Sequence, residues 1–219
     1  MTVGSSAIKP SQSARLLGVM MTPDLSLNKH VSLTSSRCFF QLRQLKVVRH
    51  CLDADSLHTL VRAFVSSRVD YCCSLLIGSP QSVVDKLQRV LNAAARLISN
   101  TKKYDRGLTG LLHDQLHWLD MSDRIKFRVA VFVFNSLHDT APRYLSEMCS
   151  FNTGSGYNLR RGRSDVLVVP RTRLKTFGDR AFAVAGPTVW NSLPASLRDF
   201  DLSAAVFKKS LKTFLFSSY

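Results

Sequence analysis

The sequence predicts a mainly α-helical fold, with a helical bundle over 29–149 followed by a basic α+β tail over 150–219. Three observations predict it. Leu57, Leu60, Val61, Phe64 and Val65 recur at i, i+3, i+4, i+7 and i+8, the spacing of one apolar helical face. Ser79-Pro80 stands before a second such stripe, Val84, Leu87, Leu91, Ala94 and Ile98, with Ser as a cap and Pro at the first helical position. After Cys149 the periodicity gives way to a Gly-, Ser-, Asn- and Thr-containing stretch from Phe151 to Gly162, the composition of a loop or linker.

Taken in order, residues 1–28 read as short extended pieces, with a strand at Arg15-Leu16-Leu17-Gly18-Val19 and a turn at Thr22-Pro23-Asp24. From Asn28 the period becomes helical, and Val31, Cys38, Leu42 and Leu45 share a face. Asp53 is the expected N-cap of the next helix, because its carboxylate can accept the unpaired N–H groups of the first turn. Asn100 or a neighbour should end the helix that Ser79-Pro80 opens. Residues 101–122 read as irregular or weakly helical around Leu111-Leu112 and His117-Trp118-Leu119.

Asp120 or Ser122 can cap a further helix over 123–138. Its run from Val129 to Phe134 is apolar on every side, which places it deep in the core and leaves a strand as a competing assignment. In the tail, Val168 to Phe177 alternates as a strand would, aligning Arg171, Arg173 and Lys175 in a cationic row about 7 Å apart, with Leu174 opposite. Pro170 confines such a strand to an edge. A last helix runs from Ser203 to about Ser217, with Val206, Leu211, Phe214 and Leu215 inward.

Charge narrows the function classes. Thirty Lys and Arg against fifteen Asp and Glu give a formal net charge of +15, which favours polyanionic partners. The segment 151–219 holds eleven of the basic residues and four of the acidic ones, making it the more basic part per residue. No run of apolar residues is long enough for a membrane span, and no membrane partner is expected. Five cysteines without framework spacing (Cys38, Cys51, Cys72, Cys73 and Cys149) suit reduced thiols in an intracellular, nuclear or cytoplasmic, protein.

Motif chemistry is mostly negative. His113 and His117 are four apart, yet no glutamate follows His113 and no third ligand is evident, so they read as incidental histidines beside Trp118. Neither Cys72-Cys73 nor His50-Cys51 has zinc-site spacing, and no metal or other cofactor is expected. Metal-dependent nucleotidyl transfer needs clustered carboxylates holding two ions roughly 3.5–4 Å apart, and the chain contains no Asp-Asp pair. No independent active site is legible, and no catalytic residue is assigned. The binding candidates are Arg171, Arg173, Lys175, Arg160, Arg161 and Arg163, with Lys46, Arg49, Lys102 and Lys103 behind them. Tyr104, beside the last pair, is expected to pack against its own fold.

Several segments, in order, resemble the region downstream of the catalytic palm in LINE-type (non-LTR retrotransposon) reverse transcriptases, the jockey-like group among them. They are Leu17-Gly18-Val19 with Asp24-Leu25-Ser26 and His30; Ala63 to Cys72; Leu87 to Arg96; Leu116-His117-Trp118-Leu119; Ala141-Pro142-Arg143-Tyr144-Leu145; Phe177 to Phe182; and Gly186 to Pro194. Together they span about 8–217. The resemblance implies that 1–28 are strands of the palm–thumb junction, that 29–149 form a helical thumb-like domain, and that 150–219 are a basic C-terminal segment. It implies a template–primer or template RNA partner, RNA or DNA, held next to the palm and fingers of the parent enzyme. The palm aspartates have no counterpart here, so the implied roles are binding and positioning. The Trp190 motif is read structurally, as a Gly-Pro turn seating an aromatic plug.

Overall fold

The computed structural model describes residues 2–3, 6–7, 11–102, 104–151 and 165–219. The chain is mainly helical and divides into two compact units, 1–72 with 81–101 and 73–80 with 102–219. Residues 29–149 thus contribute to both units, and 150–219 lie in the second. The division follows packing, since a helix belongs with whatever covers its apolar face.

The first unit opens with two short antiparallel ribbons, β1 (Thr2–Val3) with β2 (Ser6–Ala7) and β3 (Ala14–Leu16) with β4 (Val19–Met21). The single strand expected over Arg15 to Val19 is instead a hairpin, pairing Leu16 with Val19 across a two-residue turn. Leu17 and Gly18 hold φ of 46° and 86°, as a type I′ turn requires at both central positions. Tyr71 braces this turn, its hydroxyl donating to Leu17 O at 2.6 Å. The turn at Thr22 also forms, with Leu25 N–H donating to Thr22 O at 2.9 Å.

Helix α1 (Asn28–Val48) buries Val31, Ser35, Cys38, Leu42 and Leu45. It is tied to α4 at both ends. Lys86 Nζ donates to Asn28 Oδ1 at 2.6 Å and Ser32 Oγ at 3.0 Å, while Arg49 Nε donates to Leu97 O at 2.9 Å. Asp53 caps α2 (Ala54–Val61) as expected, its carboxylate accepting from Ser56 N–H at 2.7 Å. A π-helical segment, Arg62–Ser66, joins α2 to α3 (Ser67–Asp70). Its i→i+5 pattern widens the turn and resets the phase of the buried face. Leu57, Val61, Val65 and Val69 are buried, whereas Phe64, expected inside, is exposed. Helix α4 (Gln81–Ser99) starts one residue later than predicted and stops where predicted, with Asn100 at φ 59°.

The second unit begins with 73–80, whose Cys73 and Leu76 are buried. The short α5 (Leu108–Gly110) runs into a second π-helical segment, Leu111–Gln115, and then α6 (Met121–Leu137) begins after Asp120. The helix, not the strand, is realised over 123–138. Ala130, Val133 and Phe134 are buried there, but Phe132 is exposed, so one side of the apolar run faces outward.

The short α7 (Arg143–Ser146) leads to an isolated bridge between Phe151 and Leu167. The strand expected over Val168 to Phe177 is not formed. Residues 168–174 have no regular structure and α8 (Lys175–Gly178) is helical. Thr172 Oγ1 donates to Asp179 Oδ1 at 3.0 Å and Gly178 lies against Thr172, so the chain turns back on itself. Among the described residues, the tail thus contains helices and one bridge where an α+β arrangement was expected.

Helix α9 (Phe182–Asn191) contains Gly186 and Pro187, so the Gly-Pro turn predicted before Trp190 is a stretch of helix. A Cβ at Gly186 would lie 3.1 Å from Val133 Cγ2, which explains the glycine as a point of close approach to α6. Trp190 is the expected plug. It is fully buried, with Nε1 donating to Asp165 O at 3.0 Å. Asn191 mimics a neighbouring strand, accepting from Leu167 N–H and donating to Leu167 O, each at 2.8 Å. Ser203 caps α10 (Ala204–Phe216) through Val206 N–H. The inward residues of α10 are Phe207, Leu211 and Leu215; Val206 and Phe214 are exposed, against expectation. Phe207 stacks on Phe134 with centroids 4.2 Å apart.

Candidate nucleic-acid interface

A surface that holds a phosphate backbone needs accessible cations that no carboxylate neutralises. Helix α1 meets that requirement best in the first unit. Its 21 residues include Lys29, Arg37, Arg43 and Lys46 and no aspartate or glutamate. All four cations are exposed. Between them runs an apolar ridge of Leu33, Phe40 and Val47, seven residues apart and exposed, on a helix whose other face is buried. A seven-residue step is close to two helical turns, so these three side chains line up along the axis.

The amino-terminal end of α1 meets the β3–β4 hairpin. Met20 N–H donates to His30 Nδ1 at 3.4 Å, and Lys29 Nζ donates to Ser13 Oγ at 2.7 Å. Partial burial, and after it the positive charges of Arg37 and Arg15, hold His30 below the ordinary imidazole range. The guanidinium of Arg15 also acts on Tyr71, and that of Arg68 on the buried Cys38 thiol, which burial pushes up to about 11. Both arginines thus act on His30, beside a hairpin turn whose Leu17 is 83% exposed. Arg15, Arg37 and Arg43 were not among the residues singled out from sequence. The available signal was the absence of acids from a 21-residue helix.

The residues that were singled out fare differently. Lys46 is exposed on α1. Arg49 is half-buried, with its guanidinium on Leu97 O and Ile98 O, where it caps the end of α4. Lys102 is exposed, its own N–H donating to Asp105 Oδ2 at 2.6 Å, and Tyr104 is 86% exposed, which overturns the expectation that it packs inward. Arg171 and Arg173 are exposed, but on an irregular segment and not in a strand's row. Lys175 begins α8. Arg160, Arg161, Arg163 and Lys103 lie outside the described residues.

His113 and His117 serve the fold. His113 is buried, its Nδ1 2.9 Å from Trp118 O and its ring stacked on Tyr219 at 3.6 Å, while His117 Nδ1 lies 3.2 Å from His113 O. Among the described residues no group of three or more His, Cys, Asp or Glu is placed to hold a metal, and no helix is long and apolar enough to cross a membrane. No family model, curated protein or solved structure matches the chain.

Proposed function

We propose that this chain is a nucleic-acid-binding, non-catalytic part of a LINE-type RNA-directed DNA polymerase, holding template–primer or template RNA through its phosphate backbone. The observation that carries the reading is α1, an acid-free helix with an outward apolar ridge flanked by cations. On this reading α1 is the thumb-like element. Leu33, Phe40 and Val47 lie along the sugar edges of a shallow groove, while Arg37, Arg43 and Lys46 reach the phosphates on either side. Such contacts position a duplex and carry no base code. Arg171, Arg173 and Lys102 add exposed cations in the second unit, and the basic tail contributes to holding the template.

The resemblance of the ordered segments from Leu17 to Pro194 supplies the polymerase context, and the helical fold is compatible with it. The test is binding of a labelled RNA–DNA hybrid by fluorescence anisotropy across a salt series. The expected result is a steep decline in affinity, with each neutralised phosphate contributing about −0.9 to the log–log slope on a duplex. R37E/R43E/K46E should weaken binding and flatten that slope. Salt-independent binding, or none in dilute buffer, overturns the proposal, as does incorporation of nucleotides on a primed template by the chain alone.

A second reading is a domesticated element acting as a protein-interaction scaffold. Exposed Leu16, Leu17, Leu33 and Phe40 favour it, since clustered apolar surface marks protein contacts. Oligomers on size exclusion that form without nucleic acid and persist at high salt would support this reading over the first.

A further inference from the structure

Within the basic tail, helix α10 carries three lysines not yet named individually. We propose that Lys208, Lys209 and Lys212 form a second docking surface for a nucleic-acid phosphate backbone, borne by the second unit and purely electrostatic in character. This inference rests on the nucleic-acid reading above and adds a contact site to it.

The argument begins with what α10 lacks. Its 13 residues contain no aspartate or glutamate, and all three lysines are exposed. Among the described residues none of them is paired with a carboxylate, whereas Lys126 meets Asp123 at 3.0 Å and Arg143 meets Glu147 at 2.7 Å elsewhere in the same unit. The nearest acids in sequence, Asp199 and Asp201, precede the Ser203 cap. Lys208 and Lys212 are four apart and Lys209 and Lys212 three apart, so like charges are neighbours on the helix surface. Each such pair slightly disfavours an isolated helix. The helix tolerates that repulsion because the adjacent stripe of Phe207, Leu211 and Leu215 anchors it in the core, and a bound polyanion would relieve it.

Two further features set the partner's chemistry. Lysine ammonium groups are point charges without the planar fork of arginine, so they suit phosphates met in any orientation and give no base readout. Lys212 Nζ is already placed 5.5 Å from the centroid of Phe216, which restricts its freedom before any partner arrives. An anionic bilayer is the other polyanion that a lysine-rich helix can meet. Interfacial helices bind by inserting a broad apolar face, and the apolar stripe of α10 (Phe207, Leu211 and Leu215) is taken up by its own core, leaving only Val206 and Phe214 outside it. The phosphate backbone is therefore the better fit.

The experiment compares the full chain with K208Q/K209Q/K212Q and K208R/K209R/K212R by anisotropy on a labelled duplex of mixed sequence across a salt series. R37E/R43E/K46E serves as a parallel arm, and circular dichroism verifies each fold. The expected result is a slope shallower by about 2 to 3 and affinity about tenfold lower at low salt for the glutamine triple, with the arginine triple close to wild type. Should the glutamine triple fail to fold, K209Q alone should lower the slope by about 0.9. If the wild type binds and only the α1 variant weakens it, the α10 surface is refuted while the proposed function stands. If the wild type ignores the duplex, both fall. If the lysines govern binding to phosphatidylserine-containing vesicles and leave duplex binding unchanged, a lipid surface replaces nucleic acid as the partner.

Discussion

The hydroxyl of Tyr219 donates to the Asp123 carboxylate at 2.7 Å, joining residues 96 apart in sequence. The same oxygen accepts from Asp120 N–H at 2.9 Å, and the ring stacks on His113 at 3.6 Å. Asp120 is the N-cap residue of α6, yet its side chain makes no cap bond. Tyr219, 99 residues away, instead accepts the N–H of Asp120 itself. Burial, and then the bond to Asp123, raise its phenol well above the ordinary range.

Removing that hydroxyl strands two groups. In Tyr219→Phe the Asp120 N–H loses the phenolic oxygen that accepts it, and the buried Asp123 carboxylate loses one partner while keeping Lys126 Nζ at 3.0 Å. The expected loss is about 1.5–3 kcal/mol, the range for hydrogen bonds to charged groups. A urea unfolding curve should show a lower midpoint at unchanged slope. An unshifted midpoint would mean that the bridge contributes nothing in solution.

Trp190 gives a larger effect. Trp190→Ala empties a fully buried site and should lower stability by about 3–5 kcal/mol. Trp190→Phe retains most of the apolar contact but leaves Asp165 O without its Nε1 donor, so its loss should be smaller. Thermal denaturation that ranks the two substitutions in the reverse order would contradict this account.

The hairpin turn invites a stabilising change. Leu17 has a Cβ in the left-handed region, where Asn and Gly are at ease. Leu17→Asn should gain about 1 kcal/mol and remove an apolar side chain that is almost wholly in solvent. The bond from Tyr71 goes to the Leu17 backbone oxygen, so it survives the substitution. Stability equal to or below wild type in denaturant titrations would argue that Leu17 has a packing partner in solution.

His30 sets a pH dependence. Its ordinary value is 6.5 and its folded value is lower, because burial and the charges of Arg37 and Arg15 disfavour the imidazolium. Above 6.5 neither the folded nor the unfolded form holds the proton, so the group has no effect. As pH falls below 6.5, the unfolded chain takes up a proton that the folded chain refuses, and stability declines until the folded value is reached. Protonation would also destroy the Nδ1 acceptor used by Met20 N–H. His30→Gln should therefore lose less stability than wild type between about pH 7.5 and about pH 5. Parallel curves for the two proteins would exclude His30 as the cause.

Arg49 separates folding from binding. Its Nε and Nη2 donate to Leu97 O and Ile98 O at 2.9 and 3.4 Å. Arg49→Ala should cost about 1–2 kcal/mol by leaving the end of α4 uncapped. The salt slope for duplex binding should remain that of wild type. A slope shallower by about one would return Arg49 to the phosphate contacts.

Much of the helical framework was legible because it depends on neighbours in sequence. The Asp53 cap, the start of the last helix at Ser203, the end of α4 beside Asn100, and the buried stripe of α1 all follow from spacing and local hydrogen bonding. The errors have a common origin. Phe64 fell outside the core beside a π-helical turn, and Val206 and Phe214 fell outside because the covered face of α10 is centred on Phe207, Leu211 and Leu215. The alternation from Val168 to Phe177 resembled a strand, but among the described residues no neighbouring strand pairs with it.

The candidate surfaces divide in the same way. A large cationic excess and helices without acids are properties of composition, readable before any coordinates. Whether a given cation is available to a partner is a question of who else is near it. Arg49 is consumed by α4, Arg37 and Arg15 are gathered around His30, and the α10 lysines are left facing solvent. Sequence determined most of the long helices, the Asp53 cap and the charge, because those arise from interactions within a few residues. Tertiary structure decided which face of each helix is covered, because that depends on the shape and apolar surface of segments distant along the chain.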